Sequence, residues 1–112
     1  MSFAPHFLNQ AGYSTDKVER FKLVIAFAIS SQYCSSKLTK PFNPILGETF
    51  QAFFPDGTKI FCEQTNHHPP IANFLMEDSE SLYKVWGYFE FKAKISQNTL
   101  NMSMEGPNYV RF

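Results

Sequence analysis

The chain has 112 residues, room for one domain. Ten Lys+Arg balance ten Asp+Glu, a formal net charge of zero, which argues against a polyanion binder working through a general basic field but leaves room for one local anion site. Thirteen Phe, five Tyr and one Trp make the chain 17% aromatic, a surplus that suits a β-rich core and equally an apolar ligand. Cys34 and Cys62 could form one disulfide, but there is no Cys-x-x-Cys knuckle or redox pair. Met1–Asn9 lacks a basic stretch followed by an apolar core, and no apolar run approaches a membrane span. An intracellular soluble protein with reduced cysteines is expected.

Residues 1–14 read as an irregular lead-in, because Pro5 and Gly12 interrupt any period around Phe3, Phe7 and Leu8. Asp16 followed by Glu19 resembles a capping box. Phe21, Val24, Ile25, Ala28 and Ile29 then recur at helical spacing, with Phe27 widening the stripe. This predicts a helix from Asp16 to about Cys34, buried along most of its C-terminal half. Lys40–Glu48 is different: Pro41 and Pro44 fix φ and remove amide donors, and Gly47 permits a sharp bend, so the segment reads as a rigid extended ledge.

Thr49–Phe54 and Thr58–Gln64 read as strands around a Pro55-Asp56-Gly57 turn. A second stiff loop, Asn66-His67-His68-Pro69-Pro70, separates them from a strand over Ile71–Met76. After a polar turn at Glu77–Ser81, Leu82–Ile95 alternates: Tyr83, Val85, Phe89, Phe91, Ala93 and Ile95 on one parity, Lys84, Trp86, Tyr88, Glu90, Lys92 and Lys94 on the other. Gly87 suggests a bulge or a strong bend. Thr99–Met104 is another strand, Glu105–Pro107 reads as a turn, and Tyr109–Phe112 as the start of one more. The expected fold is mainly β with an N-terminal helix, a curved antiparallel meander with an open edge.

The candidate chemistry sits in the two stiff loops. Adjacent histidines point to opposite sides of an extended strand, whereas in a proline-flanked turn His67 and His68 converge on one anion as paired donors; a loop-filling role is the plainer alternative. Glu63 is placed to orient an imidazole. A metal site lacks further ligands at suitable spacing, so none is expected. There is no Gly-x-Ser-x-Gly elbow, no paired carboxylates and no phosphate-cradling Gly-rich loop, and catalysis is not expected. Lys84, Lys92 and Lys94 with Tyr88 make a weak nucleic-acid face that a solvated strand explains more simply.

Lys40-Pro-Phe-Asn-Pro-Ile-Leu-Gly-Glu48 and Glu63-Gln-Thr-Asn-His-His-Pro-Pro70 closely resemble the paired motifs of the oxysterol-binding protein-related family, in the family's order. The helix bearing Arg20 and the Val85-Trp86-Gly87 strand extend the resemblance over about residues 16–105. It implies the start of an incomplete lipid-binding β-barrel around a tunnel, truncated on its C-terminal side, with residues 1–14 a lead-in or partial lid and residues 15–112 the N-terminal part of the domain. It implies intracellular lipid transfer, sterol or phospholipid exchanged against phosphatidylinositol 4-phosphate, by a cytoplasmic protein peripheral at membranes or their contact sites. Its partners would be that phosphoinositide, a sterol or other lipid cargo and transient membrane surfaces, with no cofactor and no nucleic acid. A truncated relative acting as an interaction or regulatory module is the alternative.

Carried over by motif, Lys40, Asn43, His67 and His68 would contact the headgroup, and Leu46, Gly47, Glu48 and Glu63 would shape its site. Two departures stand out: Asn66 replaces the usual small residue before the histidines, and Asn73 follows Ala72 behind the loop.

Overall fold

The structure, a computed structural model, describes residues 3–35 and 42–112. Two helices, α1 (Ala4–Tyr13) and α2 (Lys17–Ser35), precede β1 (Thr49–Phe53), β2 (Lys59–Asn66), β3 (Ile71–Glu77), β4 (Lys84–Ser96), β5 (Thr99–Glu105) and β6 (Asn108–Arg111). The strands form one curved, unclosed antiparallel sheet in the order β1-β2-β3-β4-β5, with β6 also on β4.

The lead-in is a helix, not irregular chain. Pro5 falls in the first turn, where its missing N–H costs no intrahelical bond. Gly12 falls near the end, where an added Cβ would come within 3.0 Å of the Leu82 Cβ. Ala4, Leu8 and Ala11, at helical spacing, are completely buried, so tertiary burial rather than local propensity stabilises α1.

In α2 the Asp16 carboxylate accepts the Val18 N–H at 2.8 Å, as a cap should. Glu19 does not complete the box; it lies 3.5 Å from the Lys22 ammonium. The expected burial is also rotated. Phe21, Ile25 and Ile29 are exposed, and the buried side runs through Arg20, Val24 and Phe27. The reason is a pin: Arg20 donates from Nε to the Ala11 carbonyl at 3.1 Å and from a terminal nitrogen to the Ser14 carbonyl at 2.6 Å. The same guanidinium stands 5.1 Å from the Phe112 ring centroid, a cation–π contact with the residue beyond β6. From Leu23 to Ile29 α2 is apolar on every side, so its period does not single out one face; Arg20 pins the side that turns inward.

Registers place Ile60, Met76, Val85 and Val110 side by side across β2, β3, β4 and β6. This apolar face carries α1 and α2, and the core joins Ala4, Leu8 and Phe27 from the helices to Phe74, Met76, Tyr83 and Val85 from the sheet. The opposite face is mixed. Trp86 stacks on Tyr109 with centroids 5.6 Å apart. Lys84 pairs with Glu77 at 2.6 Å, and Lys92 lies 2.7 Å from Glu105 and 3.6 Å from Glu90, offsetting two carboxylates that stand directly opposite each other.

Two local expectations fail for identifiable reasons. Glu105–Pro107 does not reverse the chain. Ser96 opposite Thr99 and Lys84 opposite Arg111 belong to one unbroken register, so β6 continues β5 along the same edge of β4. Gly106 at φ +145° and Pro107, which has no N–H to give, interrupt the ladder without turning it. Gly87 is not a bulge either; it sits in register between Phe74 and Asn108. A Cβ there would run into the Pro107 carbonyl and the Asn108 side chain, so the glycine permits close approach. The bulge lies instead at Thr65, between Gln64 and Asn66 of β2.

The turn ends of the sheet hold α1 in place. Asn9 donates to Asp56 at 3.0 Å, and the Tyr13 hydroxyl donates to Glu80 at 2.8 Å. Behind them the buried Tyr83 hydroxyl lies 3.3 Å from Thr58 Oγ1, and burial pushes its pKa up to about 12. At Asp56, desolvation raises the carboxyl, but hydrogen bonds from Asn9 and Thr58 outweigh it and hold the group below the ordinary carboxylate range.

Two consequences are measurable. Because a Cβ at Gly87 meets backbone atoms, Gly87→Ala is expected to cost about 2 kcal/mol in urea unfolding. Asp56 titrates lower folded than unfolded, so its contribution is present at neutral pH and is lost as the pH falls through the folded value. The Tm advantage of wild type over Asp56→Asn is therefore expected to shrink as the pH is lowered through and below the ordinary carboxylate range; a gap unchanged across that titration would count against this role.

Candidate functional site

Antiparallel pairing of β1 with β2 places Thr49 opposite Glu63. The residues before Thr49 therefore continue beside the residues after Glu63, and the two proline-stiffened loops become neighbours. A clasp joins them. Gly47 N–H donates to the Gln64 carbonyl at 2.8 Å, and Gln64 N–H donates to the Glu48 carbonyl at 3.0 Å.

On one side of the clasp, Ile45–Glu48 is a closed turn. Glu48 N–H donates to the Ile45 carbonyl at 3.0 Å, and Ile45 N–H donates to the Glu48 carboxylate at 2.9 Å. Gly47 adopts φ +79°, the region that glycine enters without strain. Glu48 thus shapes the ledge by closing its own turn. Asn43, Leu46 and Gly47 are exposed on this loop. Lys40 lies outside the described residues.

On the other side, the Thr65 bulge leads into a turn over residues 67–70, and the Pro70 carbonyl accepts the Phe91 N–H at 3.1 Å, tying the loop's end to β4. His67 and His68 are both exposed, with ring centroids 4.5 Å apart and planes at 64°. Of the two arrangements open to adjacent histidines, the turn produces the one with the rings side by side. Neither ring is spent as core filling, and each carries two ring nitrogens on the exposed loop. Glu63 stands in the ladder between Thr49 and Asn73, exposed on the mixed face.

Gln64 is the residue that sequence reasoning passed over. It is 6% exposed, and its Nε2 donates to the Asn66 carbonyl at 2.8 Å, bracing the bulge from inside while its backbone makes the clasp. The signal was present: Gln64 is a polar residue on the apolar parity of Ile60 and Cys62, the pattern of a buried, satisfied amide. Asn73, a departure from the family pattern, donates to Thr65 Oγ1 at 2.6 Å and so braces the bulge from the mixed face.

The apolar face continues past the histidine turn. Ile71 lies opposite Glu90, so the β4–β5 hairpin extends beyond the end of β3. There Phe91, Ala93 and Ile95 stand opposite Met104, Met102 and Leu100, all exposed. The chain exposes 8204 Å², against about 6,300 Å² for a compact chain of this mass. Among the described residues no group of three or more His, Cys, Asp and Glu is clustered to hold a metal ion, and no helix is long and apolar enough to cross a membrane.

An open, one-sidedly apolar sheet with a two-loop polar site at the boundary of its uncovered half defines the class: the start of an oxysterol-binding protein-related β-barrel. The oxysterol-binding protein family model matches residues 2–112, and the chain belongs to that family. It is 38% identical over 112 residues to oxysterol-binding protein 9 of Dictyostelium discoideum, covering 100% of this chain and 26% of the relative. It is 42% identical over 114 residues to oxysterol-binding protein-related protein 6 of Mus musculus, covering 91% of this chain and 11% of that protein. Among solved structures, the Osh1 ORD domain in complex with ergosterol superposes with a TM-score of 0.83 at 31% identity, over 97% of this chain and 26% of that one. The Osh3 ORD in complex with PI(4)P from Saccharomyces cerevisiae gives 0.77 at 27% identity, over 99% and 30%. The chain thus spans about a quarter of the length of the first of these relatives.

The clasp makes a quantitative expectation. Gln64→Ala should cost about 1–3 kcal/mol in chemical unfolding, because it removes a buried donor and opens space behind the bulge. Gln51→Ala, at an exposed site on edge strand β1, should change stability by less than about 0.5 kcal/mol.

Proposed function

We propose that this chain supplies one part of a lipid-headgroup site and the apolar wall beside it, in a protein that binds lipid and moves it between membranes. The exchange would set a sterol or phospholipid against phosphatidylinositol 4-phosphate, with the protein working from the cytoplasm as a peripheral visitor to membranes and their contact sites. The observation that carries this reading is the clasp of Gly47 and Glu48 to Gln64, which holds the Asn43-bearing ledge beside the His67–His68 turn.

A phosphomonoester presents several strong acceptor oxygens. Donors converging from two preorganised loops satisfy them with little ordering cost. In this reading His67 and His68 donate to the phosphate, Asn43 donates from the ledge, and Lys40 supplies a charge-assisted contact. Leu46, Gly47 and Glu48 set the ledge's shape, and Glu63 marks the strand end from which the bulge departs. No bond is made or broken: the chemistry is capture and release.

Apolar residues of the uncovered hairpin, Phe91, Ile95, Leu100 and Met102, suit the hydrocarbon part of the same ligand. Two relatives support the pairing of cargo types. The Osh3 ORD was crystallised with PI(4)P and the Osh1 ORD with ergosterol.

The test is lipid binding by the protein carrying His67→Ala together with His68→Ala. Affinity for phosphatidylinositol 4-phosphate in liposomes should fall at least ~10-fold, as two charge-assisted bonds are lost. Sterol binding in the absence of phosphoinositide should persist. Equal phosphoinositide affinity in wild type and double variant would sink the headgroup assignment.

A further inference from the structure

Three large apolar side chains project from the ledge into open solvent: Phe42 is fully exposed, Ile45 is 71% exposed and Leu46 64%. Exposed apolar residues are common singly; three within five residues, on a loop that cannot fold back over them, are not. Pro44 and the doubly bonded Ile45–Glu48 turn hold that loop's shape, and the clasp to Gln64 fixes its place beside the histidine turn.

We propose that Phe42, Ile45 and Leu46 form a bilayer-inserting tip that seats the mouth of the headgroup site on the membrane from which lipid is taken. The proposal rests on the headgroup reading above and adds the surface on which that site operates. A headgroup still in a membrane lies at the level of the polar interface, so a site that grips it must reach that level. Apolar side chains next to the gripping loops can enter the acyl boundary there.

Size favours a bilayer over a protein partner. Three side chains amount to a few hundred Å², whereas a stable protein interface needs about 800 Å² per partner. Charge points the same way. Residues 42–48 carry no Lys or Arg, and the chain has no net positive charge to draw it to anionic lipid. Tip binding should therefore depend on apolar area and be insensitive to salt.

The experiment compares the full protein with its Phe42→Ser, Ile45→Ser variant in two assays, leaving Leu46 in place because it also shapes the ledge. One is flotation with neutral phosphatidylcholine vesicles; the other is binding of soluble inositol 1,4-bisphosphate. The expected result is at least ~10-fold weaker flotation with unchanged inositol bisphosphate affinity, and wild-type flotation unaltered by added salt. In a separate Phe42→Trp variant, tryptophan emission should shift to the blue on adding the same vesicles.

Equal flotation of wild type and the Phe42→Ser, Ile45→Ser variant overturns the proposal, as does no vesicle binding by wild type or an unshifted tryptophan; any of these outcomes would leave the tip to a protein partner or to another segment of the polypeptide. Loss of inositol bisphosphate binding in the Phe42→Ser, Ile45→Ser variant also overturns it, since those two side chains would then be shaping the pocket. The double variant His67→Ala, His68→Ala separates the two readings. It should keep neutral-vesicle flotation and lose inositol bisphosphate binding, and if it retains the latter, the headgroup reading fails while the tip result stands.

Discussion

Two backbone hydrogen bonds at Gln64 tie the polar end of this molecule together. Without them, the Phe42–Glu48 ledge would be tied to the sheet, among the described residues, only through Thr49 at the start of an edge strand. With them, β1 and its leading loop are stitched to β2 at the point where β2 bulges into the histidine turn. Gln64 serves both jobs because its backbone faces the ledge while its side chain reaches Asn66. Burial strengthens the arrangement: an amide inside a protein that loses its partner costs more than the bond itself contributes. The geometry of the site is thus a property of β-sheet register and not of side-chain reach.

The second constraint is the division of the apolar face. One half is covered by α1 and α2, held by Arg20 and by the bonds from Asn9 and Tyr13 to the turn ends. The other half, from Phe91 to Met104 along the β4–β5 hairpin, is bare. The histidine turn lies at the boundary, tied to β4 by the Phe91–Pro70 bond. Polar loops at the edge of an apolar surface are what the proposed amphiphilic ligand requires, since its charged and hydrocarbon parts must be met a few ångströms apart. The helices sit at the opposite end of β2 and β3 from the histidines and cover that half of the apolar face.

Much of the fold was legible because its strands follow the two-residue period closely. Each strand was found within a residue or two of its ends, and the parity of Tyr83, Val85 and Phe89 named the core face correctly. The errors share a cause. Pro5 and Gly12 read as breakers of α1, yet position within the helix made both harmless. Glu105–Pro107 read as a turn, yet a Gly-Pro pair can interrupt a ladder without reversing it. The buried side of α2 was misjudged because a helix apolar on most sides gives no local hint of which side a guanidinium will pin. Gln64 was missed although its parity marked it.

By itself the sequence determined the alternation that makes a one-sidedly apolar sheet, the stiffness of two proline-flanked loops, and the motifs that place the chain in its family. Those are local properties, written in residue type and spacing. Tertiary structure alone decided that the two loops touch, that His67 and His68 lie side by side, and that the last strand carries on along β4. Each of those depends on which backbone groups pair across distant segments, and hydrogen-bond partners between strands leave no mark in composition or period.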